Sequence, residues 1–374
     1  MAADTFPPAP APRRERTGPR RLLRWESALV LLLVVVALAG RAAEPGFLSG
    51  SNLFYLGLDV GEIALLALPL TLVVVAGEID LSVASVLGLS SALIGYLWNA
   101  GWALEVIFPA VVVVGAVAGA CNGLLVTRLG LPSLAVTIGT LALYRGLAFV
   151  VLGDRAVADL PATYTRYGIS PVPGTHVPYP IVLYAVLAVL FAVLLHATPF
   201  GRAVFATGAN QEAAFFSGIR VKRTKLILFV LSGAVSGLAG IVYTLRFASA
   251  RADNGTGLEL AVVAAVLLGG VSIFGGRGSL GGVVAAVFLL GGVRNALILN
   301  DVSNDTLNVV TGLLLIGSVV APSAARAAAR AVRPRRAPPG GSAKPVGVSR
   351  MLSRSRRTRG ANRKDPAPCN QQLR

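Results

Sequence analysis

Charge is scarce in this chain. Only 14% of its 374 residues are charged, against 55% hydrophobic, and mean hydropathy is +0.71. An ordinary soluble domain carries about 25% charged residues, so a soluble globular class is excluded. Cysteine is nearly absent: Cys121 lies in an apolar run and Cys369 near the C-terminus. Their spacing fits neither a disulfide framework nor a metal site. The two histidines, His176 and His196, are also far apart. The chain has no Gly-x-x-x-x-Gly-Lys-Ser/Thr, no His-Glu-x-x-His and no Gly-x-Ser-x-Gly, so neither nucleotide binding nor covalent chemistry is expected of it. No cofactor is expected, and the chain is not read as an enzyme. The apolar runs do not alternate with period two, which excludes a barrel.

What is present is a series of apolar runs of about the length that spans hydrocarbon, roughly 20 residues. The expected spans are 27–43, 60–76, 83–98, 103–126, 132–152, 178–197, 224–246, 258–273, 279–298 and 305–322, with 46–59 an interfacial or broken lead-in. The fold class is therefore an all-α polytopic membrane protein of about ten transmembrane helices. Flanking this 26–322 domain are two basic tails, 1–25 and 323–374, rich in Arg, Pro and Ala and expected to be disordered.

The net charge of +17 sits wholly on these tails: +4 on 1–25, +13 on 323–374 and zero between them. Basic tails beside membrane helices set topology and touch anionic lipid headgroups; nucleic acid is not expected as a partner. With both termini inside, the cytoplasmic loops receive Arg128, Arg202, Arg220, Lys222, Arg223 and Arg277. An even number of spans is then required, and ten fits. The longest external segment, 153–177, reads as a linker or as a landing surface for a delivery protein.

Three stretches interrupt the apolar pattern. Gly77-Glu78-Ile79-Asp80-Leu81-Ser82 places carboxylates beside two spans, and acids at membrane depth face a cavity, a partner or water. It reads either as a cytoplasmic turn in which Asp80 or Ser82 caps the next helix, or as a broken helix beside a translocation path. In 131–147, Thr137, Thr140 and Tyr144 share one helix face, next to Arg145. Hydroxyls and a ring suit a neutral polyhydroxylated solute; interhelical packing explains them equally. In 259–282, the pairs Gly269-Gly270, Gly275-Gly276 and Gly281-Gly282, with Gly278, make a tight turn between packed spans.

Between the spans ending at 197 and starting at 224 lies a polar, basic island, with Asn210 to Phe216 read as a short helix. A loop this long usually has a role of its own; here it docks a soluble partner or merely satisfies the positive-inside bias.

Four stretches in order, GEIDLSVASVLGLSSALIG (77–95), LPSLAVTIGTLALYRGLAFV (131–150), TPFGRAVFATGANQEAAFFSGIRV (198–221) and ELAVVAAVLLGGVSIFGGRGSLGG (259–282), resemble the ribose-type permeases of bacterial ATP-binding-cassette sugar importers. Within that group the chain looks most like rhamnose permeases, with autoinducer-2 permeases close behind. The resemblance implies a bacterial inner-membrane subunit with both termini cytoplasmic. It also implies a second permease copy or paralogue, two cytoplasmic ATP-binding subunits and an extracytoplasmic sugar-binding protein. It places the segment matching Gly201 to Gly218 on the cytoplasmic side against the ATPase, and the residues expected to couple are Gly201, Arg202, Gly208, Asn210, Glu212, Ala213, Ala214, Gly218 and Ile219. The solute path is placed at Glu78, Asp80, Ser82, Asn122, Thr137, Thr140 and Tyr144. Glu78 departs from the family pattern, where many relatives have Gly. Two other classes stay open: an ion-coupled secondary transporter with Glu78 and Asp80 as its ion sites, and a membrane scaffold recruiting partners through its tails.

Overall fold

Among the described helices long enough to cross a membrane, the second is the most thoroughly enclosed. Its sequence, Gly50–Val75, is apolar on every side beyond Asn52 apart from Asp59, Glu62 and Thr71, and 89% of its most apolar window is buried. A helix apolar all round belongs at the centre of a bundle, with neighbours on all faces. The computed structural model describes residues 20–303, with side chains from Trp25 onward, and scattered positions between 306 and 320.

In chain order the helices are α1 (Arg20–Ala43), α2 (Gly50–Val75), α3 (Val83–Asn99), α4 (Leu104–Arg128), α5 (Ser133–Leu152) and α6 (Ala162–Ile169). They continue with α7 (Tyr179–His196), α8 (Pro199–Ala209), α9 (Gln211–Phe216), α10 (Val221–Phe247), α11 (Leu258–Leu268) and α12 (Leu280–Leu299). Among the described residues the only β pairings are isolated bridges, Val157 with Ala250 and Pro171 with Pro178. Among the described residues, seven helices are long and apolar enough to cross a membrane, and α3 and α11 are shorter apolar helices. The protein is a polytopic all-α membrane protein. The expected span 305–322 falls largely outside the described residues; of the expected tails 1–25 and 323–374, residues 1–19 and all of 323–374 lie outside them, whereas 20–25, expected to be disordered, form the first turns of α1.

Three boundaries differ from expectation. α1 begins at Arg20, seven residues before the expected 27. Residues 46–59 are not a broken lead-in: α2 is continuous from Gly50, its start capped by Ser49 Oγ, which accepts from Asn52 N–H at 3.2 Å. The eighth expected span, 258–273, stops at Leu268. Gly269-Gly270 turns the chain there, with Gly270 in the left-handed region at φ 88°. That turn is held by α1, where Trp25 Nε1 donates to the Leu268 carbonyl at 2.9 Å.

Small residues decide which helices pack most closely. On α4, Gly115, Gly119 and Gly123 recur every fourth residue; on α10, Gly233 and Gly237 do the same. A Cβ on Gly119 would overlap the Phe229 carbonyl, and one on Gly233 would overlap the Gly115 carbonyl. Lipid tails give no hydrophobic drive for helices to associate, so backbone approach at such small-residue ladders supplies the contact.

The segment 153–177 is more than a linker. It carries α6, where a Cβ on Gly168 would overlap the backbone at Leu245 and Arg246 of α10. Val157 and Ala250 exchange backbone hydrogen bonds of 3.0 and 2.8 Å. At the opposite end, Pro199 stands in the first turn of α8, a position that needs no N–H. Thr198 Oγ1 accepts from Gly201 N–H at 3.2 Å. The six-residue α9 follows at once. It is capped by Asn210, whose Oδ1 accepts from Ala213 N–H at 2.9 Å, and it is closed by Gly218 at φ 84°.

Candidate functional site

The six residues Gly77–Ser82 join α2 to α3. Gly77, at φ 82°, lets the chain leave α2 while its N–H and that of Glu78 still bond Val74 and Val73 carbonyls at 2.9 and 3.1 Å. The turn then enters the bundle. Its contacts with α10 reach Ser232, about 16 Å along that helix from Val221, so it is no shallow surface connection.

Asp80, only 1% exposed, gathers three donors. Its Oδ1 accepts from Ser82 N–H at 3.0 Å and from Ser82 Oγ at 2.6 Å, and its Oδ2 accepts from Ser232 Oγ at 2.7 Å. A buried carboxyl is tolerated at this depth when such donors replace water. Neither of the two expected residues caps α3: Asp80 closes a turn on the N–H of Ser82, which precedes the helix. Ser82, the boundary residue of α3, makes no side-chain cap bond to that helix; its hydroxyl accepts instead from Asn122 Nδ2 of α4 at 2.8 Å.

The α5 stripe faces the same turn. Ser133 Oγ accepts from Ile79 N–H at 3.1 Å, and Thr137 Oγ1 donates to the Ile79 carbonyl at 3.2 Å. Tyr144 OH donates to the Ala118 carbonyl at 2.9 Å and lies 3.4 Å from Asn122 Oδ1. Asp80, Ser82, Asn122, Thr137 and Tyr144 thus belong to one network joining α4, α5 and α10 around the turn. Thr140 is buried but bonds only within its own helix, to the Thr137 carbonyl at 3.4 Å.

Glu78 stands apart from this network. Its carboxylate pairs with Lys225 of α10, and Lys225 Nζ also donates to Gln211 Oε1 of α9 at 2.6 Å. Sequence reasoning missed Lys225, Ser133 and Ser232, because their partners on the turn, Glu78, Ile79 and Asp80, lie 54 to 152 residues away. It also missed a charged cluster in which Arg246 pairs with Asp59 and, at 2.9 Å, with Glu62 Oε2. The signal was available: charged residues inside apolar runs. Arg145, seen only as a neighbour of the stripe, donates to the Ala252 and Asn254 carbonyls, both at 2.8 Å, and to the Ala84 carbonyl at 3.3 Å.

The residues expected to couple divide by exposure. Arg202, Asn210, Glu212, Ala213 and Gly218 are exposed; Gly208 and Ile219 are half-buried; Gly201 and Ala214 are buried. Gly201 and Gly208 are packing positions, since a Cβ would overlap the Leu195 carbonyl at the first and the Val75 carbonyl at the second. Phe215 and Phe216 are 65% and 79% exposed. A cavity of about 580 Å³ opens beside them, lined by Gln211, Glu212, Phe215, Arg220, Val221, Lys222 and Arg223. The 269–279 turn packs its Gly276 backbone against Ala209 and carries Phe274, 87% exposed.

Comparison with known proteins agrees with this architecture. Residues 52–319 match the family model described as branched-chain amino acid transport system / permease component. The autoinducer 2 import system permease protein LsrD of Klebsiella pneumoniae subsp. pneumoniae is 33% identical over 300 residues, covering 79% of this chain and 90% of that protein. Its counterpart in Yersinia enterocolitica is 34% identical over 303 residues, covering 79% and 91%. That of Yersinia pseudotuberculosis is 34% identical over 302 residues, covering 79% and 90%. No solved structure matches the chain. Rhamnose permeases, favoured by the motifs, do not appear among these relatives. The chain belongs to the branched-chain amino acid transport system / permease component family and, as its four motifs imply, is a ribose-type permease of the ATP-binding-cassette class.

Proposed function

We propose that this chain forms the membrane path of an ATP-driven importer for a small polyhydroxylated solute of the sugar class. Autoinducer 2, which the relatives' names carry, is the first candidate solute, ahead of rhamnose. The observation that carries the reading is the buried network of Asp80, Ser82, Asn122 and Tyr144 inside an otherwise apolar bundle. Intramembrane polar groups are expensive and mark pathways. Hydroxyl and amide groups that bond one another in a closed state can exchange those bonds for a solute's hydroxyls in an open one.

The energy comes from a partner. Two cytoplasmic ATP-binding subunits dock on the exposed side of α9, through Glu212, Ala213, Phe215 and Phe216, with Arg202 and Asn210 at its edge. A second permease copy or paralogue completes the membrane unit, and an extracytoplasmic binding protein delivers solute. The protein sits in the bacterial inner membrane with both termini cytoplasmic, the α8–α9 end facing the ATPases.

Uptake of labelled autoinducer 2, rhamnose and ribose into cells with and without this chain tests the reading. Loss of uptake of one of these on deletion, restored by the intact gene, is expected. Uptake that persists without the chain would overturn it. So would uptake that collapses with an uncoupler while ATP is held constant, which would instead make the chain an ion-coupled carrier.

A further inference from the structure

The coupling helix and the Asp80 turn are joined by one side chain. Lys225 is the fifth residue of α10 and is only 8% exposed. Its ammonium donates to Gln211 Oε1, on the first residue of α9, at 2.6 Å and pairs with the carboxylate of Glu78. Glu78 is two residues from Asp80. The residue between them, Ile79, is held through its N–H by Ser133 and through its carbonyl by Thr137. A continuous series of polar contacts therefore runs from Gln211 through Lys225 and Glu78 to the turn that carries Asp80. The same turn is supported mechanically from α8. The Gly208 backbone lies against the Val75 carbonyl, so that a Cβ there would overlap it, and Gly276 N–H bonds that same carbonyl at 2.8 Å.

A largely buried ion pair has few states open to it. Either both charges keep their partner or each must find another, because an unpaired buried charge is strongly disfavoured. A displacement of α9 against α10 that pulls Gln211 from Lys225 changes what the ammonium holds, and Glu78 is its other ligand. A compact point charge on a flexible stem suits such a shared position.

We propose that Lys225 is a positioning residue that passes the displacement of α9 to the Gly77–Ser82 turn by holding Gln211 and Glu78 together, so that the Asp80 network opens only when α9 moves. The inference rests on the reading that α9 receives an ATPase.

The test uses the whole transporter in lipid vesicles, with its ATP-binding subunits and binding protein, and whichever of labelled autoinducer 2, rhamnose or ribose the cells take up through it. The readout is solute moved per ATP hydrolysed, together with the hydrolysis rate itself. Lys225→Met and Glu78→Gln each lower the solute-to-ATP ratio roughly tenfold while hydrolysis continues. The exchanged pair Glu78→Lys with Lys225→Glu recovers most of the ratio. Gln211→Ala truncates an exposed side chain, leaves the helix in place and lowers the ratio in the same direction by a smaller factor. An unchanged ratio in Lys225→Met and Gln211→Ala overturns the relay. If Lys225→Met fails to assemble, an unchanged ratio in Gln211→Ala alone overturns it. A wild-type chain that associates with no ATPase contradicts the proposed function itself, an outcome recognisable before any variant is made.

Discussion

Asp80 and Ser232 stand 152 residues apart in the chain and meet at 2.7 Å, carboxyl oxygen to hydroxyl, inside the bundle. This contact pins the start of α3 to the middle of α10, and with Asn122 it makes three separate segments share one polar centre. Removing it has a defined consequence. Asp80→Ala leaves three buried donors without an acceptor, and each unsatisfied group costs about 1–3 kcal/mol. Thermal unfolding in detergent should fall clearly, and uptake should be lost. Asp80→Asn keeps the shape but brings an amide N–H₂ against hydroxyl donors; it should retain more folded protein than Asp80→Ala and still fail in uptake.

The α4–α10 seam gives a prediction independent of function. Gly119→Ala and Gly233→Ala force a methyl into the facing backbone. Each should reduce the amount of folded protein in the membrane severely, since overpacking costs about 1–3 kcal/mol or more when backbone must move. Gly146→Ala, where an added Cβ meets nothing within 4 Å, should be neutral. Membrane-extracted yield by size-exclusion chromatography measures all three.

On α9 the two alanines should part company. Ala213 is exposed and Ala214 is 4% exposed. Ala213→Trp should leave the permease in the membrane and abolish both ATPase association and uptake. Ala214→Trp should lower the amount of the permease itself. Comparing membrane level with co-purified partner separates the two.

Arg145 ties the start of α3 to the 248–257 loop through three carbonyls. Lys cannot reproduce this forked geometry. Arg145→Lys and Arg145→Met should both make that loop more sensitive to protease from its exposed side, with Met the more sensitive. Equal digestion of wild type and variants would remove the clamp from the account.

Much of this arrangement could be read from local sequence. Apolar length located the membrane helices, and the hydroxyl spacing of Thr137, Thr140 and Tyr144 put them on one face, because both are short-range properties. The expected cap of α3 by Asp80 or Ser82 does not form, because Asp80 takes the N–H and hydroxyl of Ser82, and Ser82 in turn receives Asn122. α2 begins at Gly50, ten residues before the expected 60, because the helix runs on unbroken through Asp59 and Glu62. Their partner is Arg246, 187 and 184 residues on, and no local pattern reports it. Lys225 was hidden in the same way: it sits among Lys222 and Arg223 in a basic run that reads as a topology signal, yet it is buried and points to Glu78. The glycine ladders of α4 and α10 were legible as small residues four apart, but only the structure pairs them.

The central claim is that another chain drives this one through α9. The most direct measurement is gentle detergent purification of the tagged protein from its native membrane, with co-purifying chains identified by mass. The account predicts a nucleotide-binding subunit in stoichiometric amount, lost in Ala213→Trp. A chain that emerges alone, under conditions that keep other such complexes intact, would contradict it.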